Sequence, residues 1–529
     1  MTDLAVAAIN EGRASLGIEL GSTRIKACLI GDDPSQALAV GSFEWENQLV
    51  DDLWTYSLDD VWTGLQAAFA DLQSNLESSY GVRLEQARAI GISAMMHGYL
   101  AFDEAGELLV PFRTWRNTNT GEAAAELSER FGVNIPLRWS VAHLHQAIKN
   151  GEEHVSKIRS LNTLAGYVHW KLTGQRVLGV GDASGMFPID SSIVNYDAHL
   201  IARYDELVHD TALETPLSVL LPEVLAAGDR AGELTEAGAA LLDPSGRLKP
   251  GALMCPPEGD AGTGMVATNA VAPKTGNVSA GTSIFAMVVL EKPLDHTYKE
   301  LDLVTTPVGD PVAMVHCNNG ASEMAAWVGL FSRFAEASGV GMGADQVYDV
   351  LFQEALQGAA DGAGLTAYNF LAGEPVAQVS AGRPLFVRTP DSQFTLANVM
   401  RTQLYSVFGA LSLGMRVLDD EGVELERMSA HGGMFRTAGV AQRFLSAALN
   451  APVSVASSAS EGGAWGVAVL AAFAASATEQ LSDYLNEIVF AGSDEHTVTP
   501  VKEDVDGFAS YMKRYESGLD VVRAAGEAL

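Results

Sequence analysis

Two stretches of the chain carry the same alternation of apolar and polar positions. Residues 16–30 read Leu-Gly-Ile-Glu-Leu-Gly-Ser-Thr-Arg-Ile-Lys-Ala-Cys-Leu-Ile, and residues 276–290 read Gly-Asn-Val-Ser-Ala-Gly-Thr-Ser-Ile-Phe-Ala-Met-Val-Val-Leu. Each is an apolar run, a small Gly-Ser/Thr turn and a second apolar run, a pattern that predicts a β-hairpin. Glycine lets the backbone approach a ligand closely, and hydroxyls with successive amides at such a turn can converge on one anion. A single turn of this kind is ordinary. Two of them, one in each half, argue for two related lobes gripping one polyphosphate from two sides.

Between and beyond the hairpins, strand-like and helical runs alternate, which predicts an α/β fold. A further strand is expected at 37–45, then a helix over 58–79 with Leu65, Phe69 and Leu72 on one face. The apolar run 89–95 predicts a buried strand that delivers the chain to Met96-His97-Gly98-Tyr99, a candidate site loop. Residues 120–255 read as mostly helical, broken at Gly179-Val-Gly-Asp-Ala-Ser-Gly185. The strongest punctuation is Pro256-Pro-Glu-Gly-Asp-Ala-Gly-Thr-Gly264, and the lobe boundary is expected there: an N-terminal lobe 1–265 and a C-terminal lobe 266–529. In the second lobe, strands are expected over 276–290 and 311–316, and helices near 345–359, 396–418, 440–449, 464–475 and 510–527.

Composition narrows the function. The 529 residues suffice for two or three domains, and 47% hydrophobic with 19% charged residues is ordinary for a globular protein. A formal net charge of -33 argues against nucleic acid or an anionic membrane as partner, since both need clustered Lys and Arg. It does not exclude a phosphorylated ligand held by a few amides and a cation. Cys28, Cys255 and Cys317 are too scattered for a disulfide framework and read as reduced core thiols. The start of the chain lacks a signal-peptide pattern, and the longest apolar stretch, 462–477, is too short to span a bilayer. The expectation is a soluble, cytoplasmic protein.

The chemistry concentrates at a few points. Gly21, Ser22 and Thr23, and again Gly281, Thr282 and Ser283, are the candidate phosphate ligands. Glu19, on the strand before the first turn, can hold Mg²⁺ through waters, since that ion prefers carboxylate oxygen and keeps much of its hydration shell. Asp260, flanked by residues without bulk, can reach a substrate hydroxyl and take its proton, which is the main covalent demand that phosphoryl transfer makes of a protein. The pair Gly432-Gly433 leaves room for a flat ring beside free amides. His431 receives no role, and Glu461 either caps the following helix or touches the nucleotide.

Taken in order, Ile18-Glu-Leu-Gly-Ser-Thr, Met96-His-Gly, Gly181-Asp-Ala-Ser-Gly, Gly259-Asp-Ala-Gly, Ser279-Ala-Gly-Thr-Ser, Leu371-Ala-Gly-Glu-Pro and His431-Gly-Gly resemble the FGGY carbohydrate kinases, over residues 16–475. The resemblance implies two ribonuclease-H-like lobes of the actin/hexokinase type around a central cleft, with ATP and Mg²⁺ bound alongside a sugar. It implies Asp260 as general base, Glu19 and Asp260 at the metal, and Gly432 and Gly433 against adenosine. Met96, His97, Trp115, Asn117 and Asp260 would meet the sugar. Met96-His-Gly and Asp182–Gly185 look most like xylulose kinases, with two departures. Glu19 stands where the family has Asp, and Asn117 and Asn119 stand where xylulose kinases carry Asp and Arg. The implied substrate is a ketopentose, xylulose or ribulose; a homodimer stays open. The alternatives are an actin-fold ATPase that couples hydrolysis to conformational work, and a sugar sensor without catalysis. The first lacks an appended domain or a cysteine pair, and retention of Asp260 with both turns speaks against the second.

Overall fold

The computed structural model describes residues 2–437, 439–456, 462–493 and 495–529. The chain forms two compact units. One comprises Met1–Ala272, Leu303–Val312 and Ser460–Gly492; the other comprises Pro273–Asp302, Ala313–Ala459 and Ser493–Leu529. The boundary expected at 265/266 is thus displaced, and two later segments return to the first unit. The longer of these carries the helix Gly462–Ala474, apolar on every side and buried along nearly its whole length. Trp465, within it, donates its indole N–H to the Pro34 carbonyl at 3.0 Å. A helix without a polar face has to be enclosed, and the first unit's sheet encloses it.

The first unit's sheet is built from β1 (Ser15–Leu20), β2 (Arg24–Ile30), β3 (Ala37–Glu44), β4 (Ala89–Ala94), β5 (Leu253–Met254) and β6 (Glu258–Gly259). Its spatial order is β5-β4-β1-β2-β3, with β6 also paired to β4. β1 is antiparallel to β2 and parallel to β4. The helix Leu58–Tyr80 covers this sheet through Val61, Leu65, Phe69, Leu72 and Leu76, all buried at helical spacing. Its start is fixed by the Ser57 hydroxyl, which accepts from the Asp60 amide at 3.0 Å. Gly81, in the left-handed region at φ 69°, ends it.

The second unit repeats that order. Six of the seven strands of its sheet are β7 (Thr275–Ala280), β8 (Ile284–Val289), β9 (Pro311–Cys317), β10 (Arg427–His431), β11 (Val453–Ala456) and β12 (Glu495–Val498), the seventh being the edge strand Asp302–Thr305. They run β9-β8-β7-β10-β11-β12. β7 is antiparallel to β8 and parallel to β10, as β1 is to β2 and β4. The two Gly-Ser/Thr turns therefore occupy the same station, between the first and second strand of each sheet. An ion triad around buried Asp504 ties this unit's helices: its carboxylate accepts from both Arg401 and Arg443.

Several expectations need correction. The segment 256–264, expected at the lobe boundary, forms β6 and the first turns of the helix Asp260–Ala267, inside the first unit. Residues 120–255 are less helical than expected, with Gly121–Phe131, Ser140–Lys149, Leu164–Thr173, Ala198–Val208 and Glu236–Leu242 separated by loops and short strands. The expected helix 510–527 is two, Lys502–Ser517 and Leu519–Ala528, meeting at Gly518. The helix Ser322–Ala337 escaped notice because only Met324 and Val328 on it are buried, leaving little periodicity to read. All three cysteines are buried, and none of the three is in a disulfide. Among the described residues no helix is long and apolar enough to cross a membrane.

Candidate active site

The first turn closes with the Gly21 amide donating to the Arg24 carbonyl at 3.0 Å. Its three carbonyls are all tied to the body of the unit. Gly21 accepts from the Trp45 indole N–H at 2.7 Å, Ser22 from the Tyr56 hydroxyl at 2.6 Å, and Thr23 from the Trp45 amide at 3.2 Å. The Trp45 and Tyr56 rings stack with centroids 4.2 Å apart, so the two anchors hold each other. In a trans peptide the N–H opposes the C=O. Fixing these carbonyls inward turns the next amides outward on an exposed turn, the orientation an anion requires.

The second turn reaches the same orientation differently. The Gly281 amide donates to the Ser283 carbonyl at 2.9 Å, while the Gly281 and Thr282 carbonyls accept from the amides of Ala321 and Gly320 at 2.8 and 2.7 Å. Because β10 pairs with β7 in parallel, with His431 opposite Ser279, Gly432 arrives beside Ala280 at the base of this turn. Gly432 has φ 118°, and a Cβ there would run into the Ala280 carbonyl; only glycine fits. Gly433 has open space around its Cα. Burial lowers the His431 imidazole below its usual range, so it stays neutral. Glu461 lies outside the described residues.

A set of carboxyl groups converges in the first unit. Asp260 is the first residue of its helix, and its Oδ1 accepts from the Met96 amide at 3.1 Å. Its side chain reaches solvent, yet the protein around it displaces enough water to hold the carboxyl above its usual range, against the amides of Met96 and Ala261 and the charge of Arg138. Half-buried Glu19 lies against the N-terminus of the helix Gly462–Ala474, where its carboxylate accepts from the Ala464 amide. Burial, and then the nearby charge of Asp260, push Glu19 up to about 7. Behind them, Glu258 and Asp182 are enclosed. The Glu258 carboxylate accepts from the Gly181 and Asp182 amides at 3.3 and 3.0 Å, and Asp182 accepts from the Thr163 hydroxyl at 2.6 Å. Burial raises Asp182 to about 7, and burial with the Asp182 charge raises Glu258 to about 8.

Glu19 and Asp260 pose a question about Mg²⁺. Among the described residues no three His, Cys, Asp or Glu side chains gather as a metal cage. Two neighbouring carboxylates that repel each other are what a largely hydrated Mg²⁺ uses, since it takes one or two carboxylates plus phosphate oxygens. The donor set fits that ion.

The sugar-facing candidates divide. The Met96 amide touches Asp260, and His97, buried at φ 71°, places Nδ1 3.4 Å from the Gly185 carbonyl. This packs the Met-His-Gly loop against the Asp182–Gly185 segment. A pair of backbone bonds between Tyr99 and Arg113 brings the segment of exposed Trp115 alongside that loop. Asn117 does not join them. Its amide is consumed by the scaffold: Oδ1 accepts from the Trp54 amide at 2.9 Å, and Nδ2 donates to the Trp54 and Thr114 carbonyls at 2.8 and 3.1 Å. Sequence reasoning missed Trp45, Tyr56, Glu258 and Arg138. The last accepts the Gly98 amide on its carbonyl at 3.3 Å and brings positive charge towards Asp260.

Comparison with known proteins places this geometry. Residues 14–244 match the N-terminal domain, and residues 276–475 the C-terminal domain, of the FGGY family of carbohydrate kinases. Xylulose kinase of Staphylococcus xylosus is 24% identical over 156 residues, a stretch covering 28% of this chain and 30% of that enzyme's length. Among solved structures, xylulose kinase from Rhodospirillum rubrum superposes with a TM-score of 0.77 at 20% identity, over 97% of this chain and 100% of that one. Gluconate kinase from Lactobacillus acidophilus gives 0.78 at 16%, over 97% and 99%. At such identities the likeness speaks for the fold, two α/β lobes of the actin/hexokinase type. With both family domains present in order, the chain belongs to the FGGY family of carbohydrate kinases.

Proposed function

We propose that this chain phosphorylates a ketopentose, with xylulose and ribulose as the leading sugars, using ATP as the phosphoryl donor and Asp260 as general base. The observation that carries the reading is the setting of Asp260. One of its oxygens is held by the Met96 amide at 3.1 Å, on a side chain that reaches solvent and so can meet an incoming hydroxyl. A carboxyl held above its usual range is a better proton acceptor for an alcohol than an ordinary one.

The proposed roles are as follows. The sugar hydroxyl gives its proton to Asp260 as its oxygen bonds to the γ-phosphorus, and the bond from that phosphorus to the β,γ-bridging oxygen breaks to release ADP. The outward amides of Ser22 and Thr23 in the Gly21-Ser22-Thr23 turn, and of Thr282 and Ser283 in the Gly281-Thr282-Ser283 turn, bind the phosphates, and Gly432-Gly433 accommodates the adenosine. Glu19 and Asp260 would hold Mg²⁺, which when bound offsets the charge of the phosphate oxygens. Met96, His97 and Trp115 orient the sugar. Asn117 supports their loop through Trp54.

A coupled ADP-release assay over ketopentoses, aldopentoses, polyols and hexuloses tests this. The expected result is saturable release with one ketopentose and background with the aldopentoses. Steady release without any sugar would favour a conformational ATPase, and background throughout would favour a sensor.

A further inference from the structure

The amides that hold the second turn belong to Gly320 and Ala321, which lie just beyond β9. What fixes them is a buried carboxamide–carboxyl pair. Glu374, fully enclosed, accepts from the Asn319 amide at 3.2 Å and from Asn319 Nδ2 at 3.0 Å, both on Oε2. Asn319 Oδ1 accepts in turn from the amides of Leu371 and Ala372, each at 2.9 Å. Asn369 Nδ2 donates to the Asn319 and Gly320 carbonyls at 3.1 and 2.9 Å. All of these residues lie in the second unit.

This pair is an expensive way to hold a loop. Glu374 Oε1 is buried without a hydrogen-bond partner, and an unsatisfied buried carboxyl oxygen costs stability that an apolar residue would not. The gain lies in direction: two N–H groups of one residue converge on a single oxygen, which sets where the next two amides stand.

We propose that Asn319 and Glu374 are positioning residues for the nucleotide, aiming the amides of the Gly281-Thr282-Ser283 turn through Gly320 and Ala321. The inference rests on reading that turn as a phosphate site. Neither residue touches the ligand; each acts through the carbonyls that Gly320 and Ala321 hold. Their loss should therefore weaken recognition of the phosphates and spare that of the adenosine.

The test compares binding of the non-hydrolysable analogue AMP-PNP with MgCl₂ and binding of adenosine, by calorimetry on the full chain, for the parent, Glu374→Ala, Asn319→Asp and Glu374→Gln. Glu374→Ala removes the acceptor, and Asn319→Asp removes the side-chain donor and sets a second carboxyl against the first. Both should weaken AMP-PNP binding about tenfold or more, with adenosine within about twofold of the parent. Glu374→Gln keeps a carbonyl oxygen for Asn319 and should recover most of the loss. Parent-like AMP-PNP binding in either folded variant overturns the proposal, and so does an equal loss for both ligands. If neither variant shows a native melting transition, the pair serves the fold itself and the proposal also falls. A parent that binds AMP-PNP yet phosphorylates no sugar removes the kinase reading alone and leaves this one standing.

Discussion

The two Gly-Ser/Thr turns sit at one station of one sheet order, yet they are secured by opposite means. The first is bolted by side chains: Trp45 and Tyr56 reach in to take its carbonyls and stack on each other. The second is bolted by backbone, the amides of Gly320 and Ala321, which Asn319 and Glu374 hold from behind. What the two share is the result, carbonyls tied inward and amides turned outward. The orientation of the peptide planes is common to both turns, and the residues that impose it differ.

That contrast predicts where each turn breaks. The largest effect should come from Gly320→Ala, because a Cβ there would strike the Gly281 carbonyl and Ser283. With no flexible side chain to yield, ATP binding should weaken by about a hundredfold, read as AMP-PNP affinity. An alanine variant with parent-like affinity would show that the second turn tolerates displacement. A smaller effect should follow from Tyr56→Phe, which removes one hydrogen bond and keeps the stack on Trp45; about fivefold weaker binding is expected. Unchanged affinity would mean that Trp45 alone suffices.

The smallest effect is on stability, and it separates the turns by pH. Burial holds Glu374 up to about 7, so the folded chain keeps a proton that the unfolded chain releases near its ordinary value of 4.5. Asp182 and Glu258, held up to about 7 and about 8, behave alike. Each contributes stability that is complete at low pH and is lost as pH rises through the folded value. The melting temperature of the nucleotide-free protein should therefore fall between about pH 5 and about pH 8 from these groups, and Glu374→Gln should flatten part of that slope. Tyr56, pushed up to about 12 by burial, stays neutral over this range, so the first turn's anchor adds nothing to it. An unchanged slope in Glu374→Gln would mean that this carboxyl is ionised in the folded chain.

The turns themselves were legible because strand, turn and strand are contiguous, and the letters alone place both flanking strands. Asp260, the proposed base, also stands out locally, as a carboxylate amid residues without bulk. The bolts were not legible. Tyr56 is 34 residues from Ser22, and Glu374 is 55 from Asn319, so nothing local announces either bond. The bonds of Asn117 to backbone were not legible either, because its partner, Trp54, lies 63 residues earlier. The unit boundary slipped because an all-apolar helix such as Gly462–Ala474 carries no mark of which sheet will bury it.

In the proposed reaction Asp260 takes the proton of the sugar hydroxyl while the turns hold the phosphates. The most direct measurement is Asp260→Asn, assayed for sugar-dependent ADP release with the best sugar and for AMP-PNP affinity on the same preparation. Turnover should fall about a thousandfold or more while AMP-PNP affinity stays within a few-fold of the parent. Turnover within about tenfold of the parent would contradict the account.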